Sequence, residues 1–117
     1  MRDVLAILYG KLKENPALPL VLTYVPQGTA YPYLTLEKLK SEEGCGVMRS
    51  EVKLKVWSRY PGNAEISRYE MALKDGLEVP GWIPGTCVKI ESVEVKLLND
   101  GITRVLQMML MILMREI

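Results

Sequence analysis

The chain has 117 residues, 49% hydrophobic and 25% charged, the make-up of an ordinary globular domain. A chain of this length buries roughly two-thirds of its unfolded surface, so a core can form without disulfides or a structural metal. Its 15 Lys and Arg stand against 14 Asp and Glu, and the net charge of +1 argues against a dedicated nucleic-acid binder or a protein drawn to anionic lipid.

The first predicted element is a helix from Arg2 or Asp3 through about Glu14. Leu5, Leu8 and Leu12 recur at three- and four-residue steps, Val4 thickens the stripe, and Lys11, Lys13 and Glu14 are left for water. Tyr9, Gly10 and Lys11 interrupt the apolar run, which is too short for a signal-peptide core. Asn15-Pro16 stops the helix, because a residue before proline is pushed out of the α region. Leu20–Val25 reads as a short β-branched and aromatic strand, followed by a turn at Pro26-Gln27-Gly28.

Tyr33–Leu39 alternates, with Leu34, Leu36 and Lys38 on one face, and Ser41–Gly46 is expected to be a loop. Val47–Ser58 is the clearest strand. Met48, Ser50, Val52, Leu54 and Val56 line one side, and Arg49, Glu51, Lys53 and Lys55 line the other. Trp57, near its end, is expected to cover the sheet edge. After the Pro61-Gly62-Asn63 break, with Asn63 as its cap, a helix over Ala64–Gly76 presents Ile66, Tyr69, Leu73 and Leu77 on one face. Gly76 falls near its end, where a left-handed residue is tolerated.

Val79–Gly85 is a proline-stiffened loop around Trp82 and Ile83. Cys87–Leu98 reads as a strand whose apolar phase flips between Ile90 and Val93, which a β-bulge near Ser92 reconciles. Asn99-Asp100-Gly101 is a hairpin signal, so Ile102–Met114 returns as the last strand despite the helix propensity of Leu and Met. The fold expected is α+β: one domain over residues 1–117, with a mostly antiparallel sheet of about five strands and two helices packed on one face, in the order α-β-β-β-α-β-β. The most apolar segment, Val105–Met114, is far shorter than the ~20 residues that span a bilayer. No membrane is expected as a partner, and the protein is expected to be made in the cytosol.

No constellation for catalysis emerges. The sequence holds no His, and Cys45 and Cys87 lie far apart without a CxxC, which removes zinc-finger and Cys–His chemistry and leaves two ordinary thiols as the simpler reading. No glycine-rich phosphate cradle occurs. Asp3, Asp75 and Asp100 sit at helix ends or turns, where capping accounts for them. The protein is therefore expected to be non-enzymatic, without cofactor or metal.

Two features point to interfaces instead. Trp82, with Ile83, is either a lid folded on the core or an anchor for a partner, and the stiff loop lowers the entropy cost of the second. In the last strand both faces are apolar: Leu106, Met108, Leu110, Ile112 and Met114 on one, Met109, Met111 and Leu113 on the other. Such a strand is either covered twice within the chain or shows its second face to another subunit, and the latter is preferred because two short helices supply only one covering layer.

Three segments carry a resemblance. Val25-Pro26-Gln27-Gly28 with Ala30-Tyr31-Pro32-Tyr33-Leu34, Val56-Trp57-Ser58-Arg59 with Gly62 and Glu65, and Asn99-Asp100-Gly101-Ile102-Thr103-Arg104 are similar, in this order, to the tail-terminator or tail-completion family of siphophages, prophages and gene transfer agents. The resemblance implies a homo-oligomeric ring, commonly a hexamer, at the head-proximal end of the tail tube. Such a ring stops tube polymerisation and offers the surface to which the head docks. Its implied partners are copies of itself, the tail tube protein and a head–tail connector protein, with no specific nucleic-acid binding although DNA passes through the ring. Its implied location is the virion tail, after assembly in the bacterial cytoplasm. Trp82, Ile83, Met109, Met111 and Leu113 are the expected subunit or partner contacts, and Glu42 and Glu43 are expected in a loop facing the tube or its lumen. The rivals are another connector, such as a neck or head-completion protein, and a small ligand- or RNA-binding domain. For RNA, Arg49, Lys53, Lys55 and Trp57 share a face, but Glu51 interrupts it and no second aromatic is spaced for stacking.

Overall fold

The computed structural model describes residues 3–115. Arg2, the alternative start for the first helix, lies outside them. Helix α1 (Val4–Lys13) begins at Asp3, whose carboxylate accepts hydrogen bonds from the Leu5 and Ala6 amides at 3.0 and 3.3 Å. Strand β1 (Leu20–Leu22) is shorter than its β-branched run suggests, and residues 23–32 carry the chain back to β2 (Tyr33–Gly44). Strand β3 (Val47–Ser58) follows, then α2 (Ala64–Leu77), β4 (Thr86–Leu97) and β5 (Arg104–Arg115).

The five strands form one sheet in the order β1-β2-β3-β5-β4. The sheet is mixed, which corrects the mostly antiparallel expectation: β1 runs parallel to β2, whereas β2–β3, β3–β5 and β4–β5 are antiparallel. The physical reason is the connection. A tight turn at Pro26-Gln27-Gly28 alone would reverse the chain once, but the longer excursion over 23–32 lets β2 run in the same sense as β1. Between β3 and β4, which are mutually parallel, helix α2 makes the crossover and β5 inserts between them.

Both helices pack on the same sheet face. Val4, Leu8 and Leu12 of α1 and Ile66, Tyr69, Leu73 and Leu77 of α2 join a single core with Leu34, Leu36, Val52, Leu54, Val56, Leu106, Met108, Leu110 and Ile112. Each side chain fully withdrawn from water here contributes about 1.5–3 kcal/mol. Helix α2 starts at Asn63 without a side-chain capping bond, contrary to expectation, because Asn63 itself sits in a helical conformation. The phase flip in β4 is a bulge, with the register shifting between Ile90 and Ser92 opposite β5.

The expected loop over Ser41–Gly46 is also corrected. Strand β2 continues to Gly44 in register with β3, and the reversal is made by Cys45 and Gly46, with φ of 54° and 76°. Two successive positive φ values define the tight hairpin turn whose twist matches the flanking strands. Glu42 and Glu43 are therefore strand residues. Their acidic, exposed composition looks like a loop because this end of β2 buries neither face.

Candidate functional site

Opposite the helices the sheet is open, and its residues lie in cross-strand rows. One row runs Tyr33, Trp57, Val105, Lys96; the next runs Thr35, Lys55, Gln107, Glu94; then come Glu37, Lys53, Met109, Ser92. Beyond the bulges follow Lys40, Glu51, Met111, Lys89 and finally Glu42, Arg49, Leu113, Cys87. The centre of the face is thus an apolar strip of Met109, Met111 and Leu113 fenced by charged side chains. Leu113 is 40% exposed, and both methionines are partly covered. The Arg49 guanidinium lies 3.3 Å from the Met111 sulfur. Lys40 and Glu42 pair at 2.8 Å, which raises the lysine and lowers the carboxylate from their usual ranges through that hydrogen bond.

At the other end of the face Tyr33 and Trp57 stack at 6.0 Å, and Tyr31 lies 5.1 Å from Tyr33. Trp57 therefore belongs to an interior strand, which corrects its placement at the sheet edge. Its indole donates to the Thr35 hydroxyl at 3.1 Å, and Lys55 lies over its ring. Burial, helped by the neighbouring Tyr31 phenol, raises the Tyr33 pKa. A second aromatic does accompany Trp57, contrary to the sequence-based expectation. Tyr33 is 7% exposed and stacked on its neighbour, so this cluster offers no free ring of the kind that splayed bases use.

The three segments that carried the family resemblance meet here. Arg59 covers the Tyr31 ring at 4.4 Å, donates from Nε to the Thr103 hydroxyl at 3.1 Å, and approaches Asp100 at 3.8 Å. Asp100 in turn accepts from the Ile102 and Thr103 amides and from the Thr103 hydroxyl, at 3.0, 2.9 and 2.6 Å. Those hydrogen bonds, the hydroxyl's first, lower its pKa to about 2. Just behind, buried Ser58 donates to Glu65 at 2.6 Å and accepts from the Tyr60 amide, tying the strand end to the first turn of α2. Sequence reading missed this junction. A lone arginine after a strand gives no sign of its partners 28 residues before and 44 after it.

The remaining expected contacts fall in different places. Ile83 is 5% exposed and belongs to this chain's own core, so it holds its loop down. Trp82 packs partly against the same core, which favours its role as a lid. Glu42 lies on the open face, whereas the side chain of Glu43, opposite Met48, is on the helix-bearing side. Cys45 and Cys87 are both free and exposed. Among the described residues no group of acidic or Cys side chains is arranged to hold a metal ion, and no helix is long and apolar enough to cross a membrane.

No family model matches the chain, and no curated protein matches it. Among solved structures its fold is similar to a chain of a particle described as "Virion of native gene transfer agent (GTA) particle". The TM-score is 0.78 over 96% of this chain and 94% of that one, at 16% identity. The likeness is one of fold, and it spans essentially every element described above.

Proposed function

We propose that this protein is a non-enzymatic virion structural subunit, and specifically a tail terminator. It forms a ring, a hexamer by family resemblance, at the head-proximal end of the tail tube, stops tube polymerisation and provides the surface for head docking. It acts in the tail of the virion after assembly in the bacterial cytoplasm, and its partners are its own copies, the tube protein and a connector. The observation that supports this reading most is the near end-to-end likeness in fold to a gene transfer agent virion chain. A head-completion or neck protein is the rival, because the matched particle is described as a virion without naming the tail.

In a ring terminator, chemistry is replaced by surface complementarity. Each subunit presents different patches to its two neighbours, and closure of the rotation limits the number of copies. The Met109–Leu113 strip suits contact with another protein, since flexible thioethers adapt to the surface they meet. Native mass spectrometry of the purified protein, with and without purified tail tubes, tests the assignment. Ring-sized oligomers on tube ends are expected. A protein that stays monomeric at every concentration and leaves tubes growing is not a terminator, and one that binds portal-bearing heads but not tubes is a connector.

A further inference from the structure

On the open face of the sheet, the apolar strip has basic residues on both sides. Met109, Met111 and Leu113 stand opposite Lys53, Glu51 and Arg49 in β3, and opposite Ser92, Lys89 and Cys87 in β4. Three of these six flanking residues are basic and one is acidic. Arg49 and Glu51 are balanced by their cross-strand neighbours in β2, Glu42 and Lys40. Lys96 and Glu94 close a pair of their own at 3.4 Å. That leaves Lys53 and Lys55 on one side of β5, with Glu37 as the one acid across from them, and Lys89 on the other side. None of these three lysines takes part in a salt bridge among the described residues. From this arrangement we infer that the strip docks an acidic amphipathic helix of a partner protein, its apolar ridge on Met109–Leu113 and its carboxylates over Lys53, Lys55 and Lys89.

Dimensions and charge both fit that occupant. From Met109 to Leu113 the strip runs about 14 Å along the strand, the rise of about nine helical residues, so it meets the ridge of a short helix laid along β5. The flanking strands lie about 4.8 Å to either side, which sets their basic side chains about 10 Å apart, close to the diameter of a helix. Covering the strip also covers the lysines beside it. Carboxylates on the incoming helix offset that cost, whereas a neutral or basic helix leaves the ammonium groups without partners. Neither described helix of a second copy qualifies, because α1 and α2 turn their apolar stripes into their own core. The inference deepens the assembly reading above and rests on it. Where rings gather on tube ends, losing this contact lowers ring formation as well.

Stapled helical peptides about ten residues long test the contact, with the protein labelled at its methionine methyls for NMR. One peptide carries a leucine ridge flanked by glutamates, one the same ridge flanked by lysines, and one the glutamates with serines in place of the ridge. The first is expected to shift the Met109 and Met111 signals and to bind about tenfold tighter than the other two, by a margin that shrinks with added salt. In a Lys53→Glu, Lys55→Glu, Lys89→Glu chain the lysine peptide is expected to become the tighter ligand, a reversal that misfolding cannot mimic. Equal binding of the glutamate and lysine peptides, or shifts confined to residues away from the strip, overturn the inference. Methionine shifts on concentrating the protein alone put a second copy on the strip and overturn it too. A chain that caps tubes yet takes no peptide loses the helix and keeps the terminator reading. One that takes the glutamate peptide and never caps tubes keeps the docking face and loses the terminator.

Discussion

At Arg59 one planar guanidinium serves three neighbours: the Tyr31 ring, the Thr103 hydroxyl and the Asp100 carboxylate. Arg59→Ala is expected to lower unfolding stability by about 1–2 kcal/mol in urea titrations, the sum of a modest hydrogen bond and an exposed cation–π contact. Arg59→Lys recovers less than half of that, since an ammonium cannot satisfy the fork. Asp100 adds a pH signature. Its pKa falls from 3.8 to about 2 in the folded chain, so its contribution is fully present above about pH 4 and is lost as pH falls through 2. Thermal midpoints measured from pH 5 to 2 are expected to fall less steeply in Asp100→Asn; an unchanged slope would show that the carboxylate is not what holds the hairpin loop.

Among the elements, the two helix starts make a controlled contrast. Asp3 caps α1 through two amide hydrogen bonds, whereas Asn63 makes none at α2. Asp3→Ala is expected to cost about 1 kcal/mol and Asn63→Ala only a few tenths, as read from denaturant midpoints. The hairpin joining β2 to β3 offers a gain. Cys45 holds a φ of 54°, a conformation that asparagine tolerates better. Cys45→Asn is expected to raise the melting temperature, equivalent to up to about 1 kcal/mol. The extents of these elements were partly legible. Strand β3 and the stripe Ile66, Tyr69, Leu73 and Leu77 match their periodicity because one face of each is buried throughout. The end of β2 did not, because from Glu37 onward it is exposed on both sides and carries no alternation to read.

On the scale of the whole molecule, the sheet buries one face against the helices and leaves the other without a covering layer. Met108 and Leu110 face the helices and are almost fully buried, so Leu110→Ala is expected to cost about 2–5 kcal/mol. Met109 and Met111 occupy the same strand but the open face. Replacing both by Ser is expected to change stability by less than about 1 kcal/mol while reducing ring formation in native mass spectrometry. Equal loss of folding and assembly would mean that the strip is part of the core. Trp82→Ala is a poorer probe of assembly, since the indole covers this chain's own interior.

Local pattern was enough for the sequence to determine the two helical stripes, the one-sided β3, the bulge in β4 and the two-sided apolarity of β5. Each is written in residues a few positions apart, where burial imposes a period of two or of three to four. Tertiary structure alone decided that β1 runs parallel to β2, that β5 sits between β3 and β4, and that Ile83 turns inward. It also decided that Tyr31, Arg59 and Asp100 meet. These depend on which strands pair and in which sense, and side chains brought together by pairing across dozens of residues leave no periodic trace along the chain.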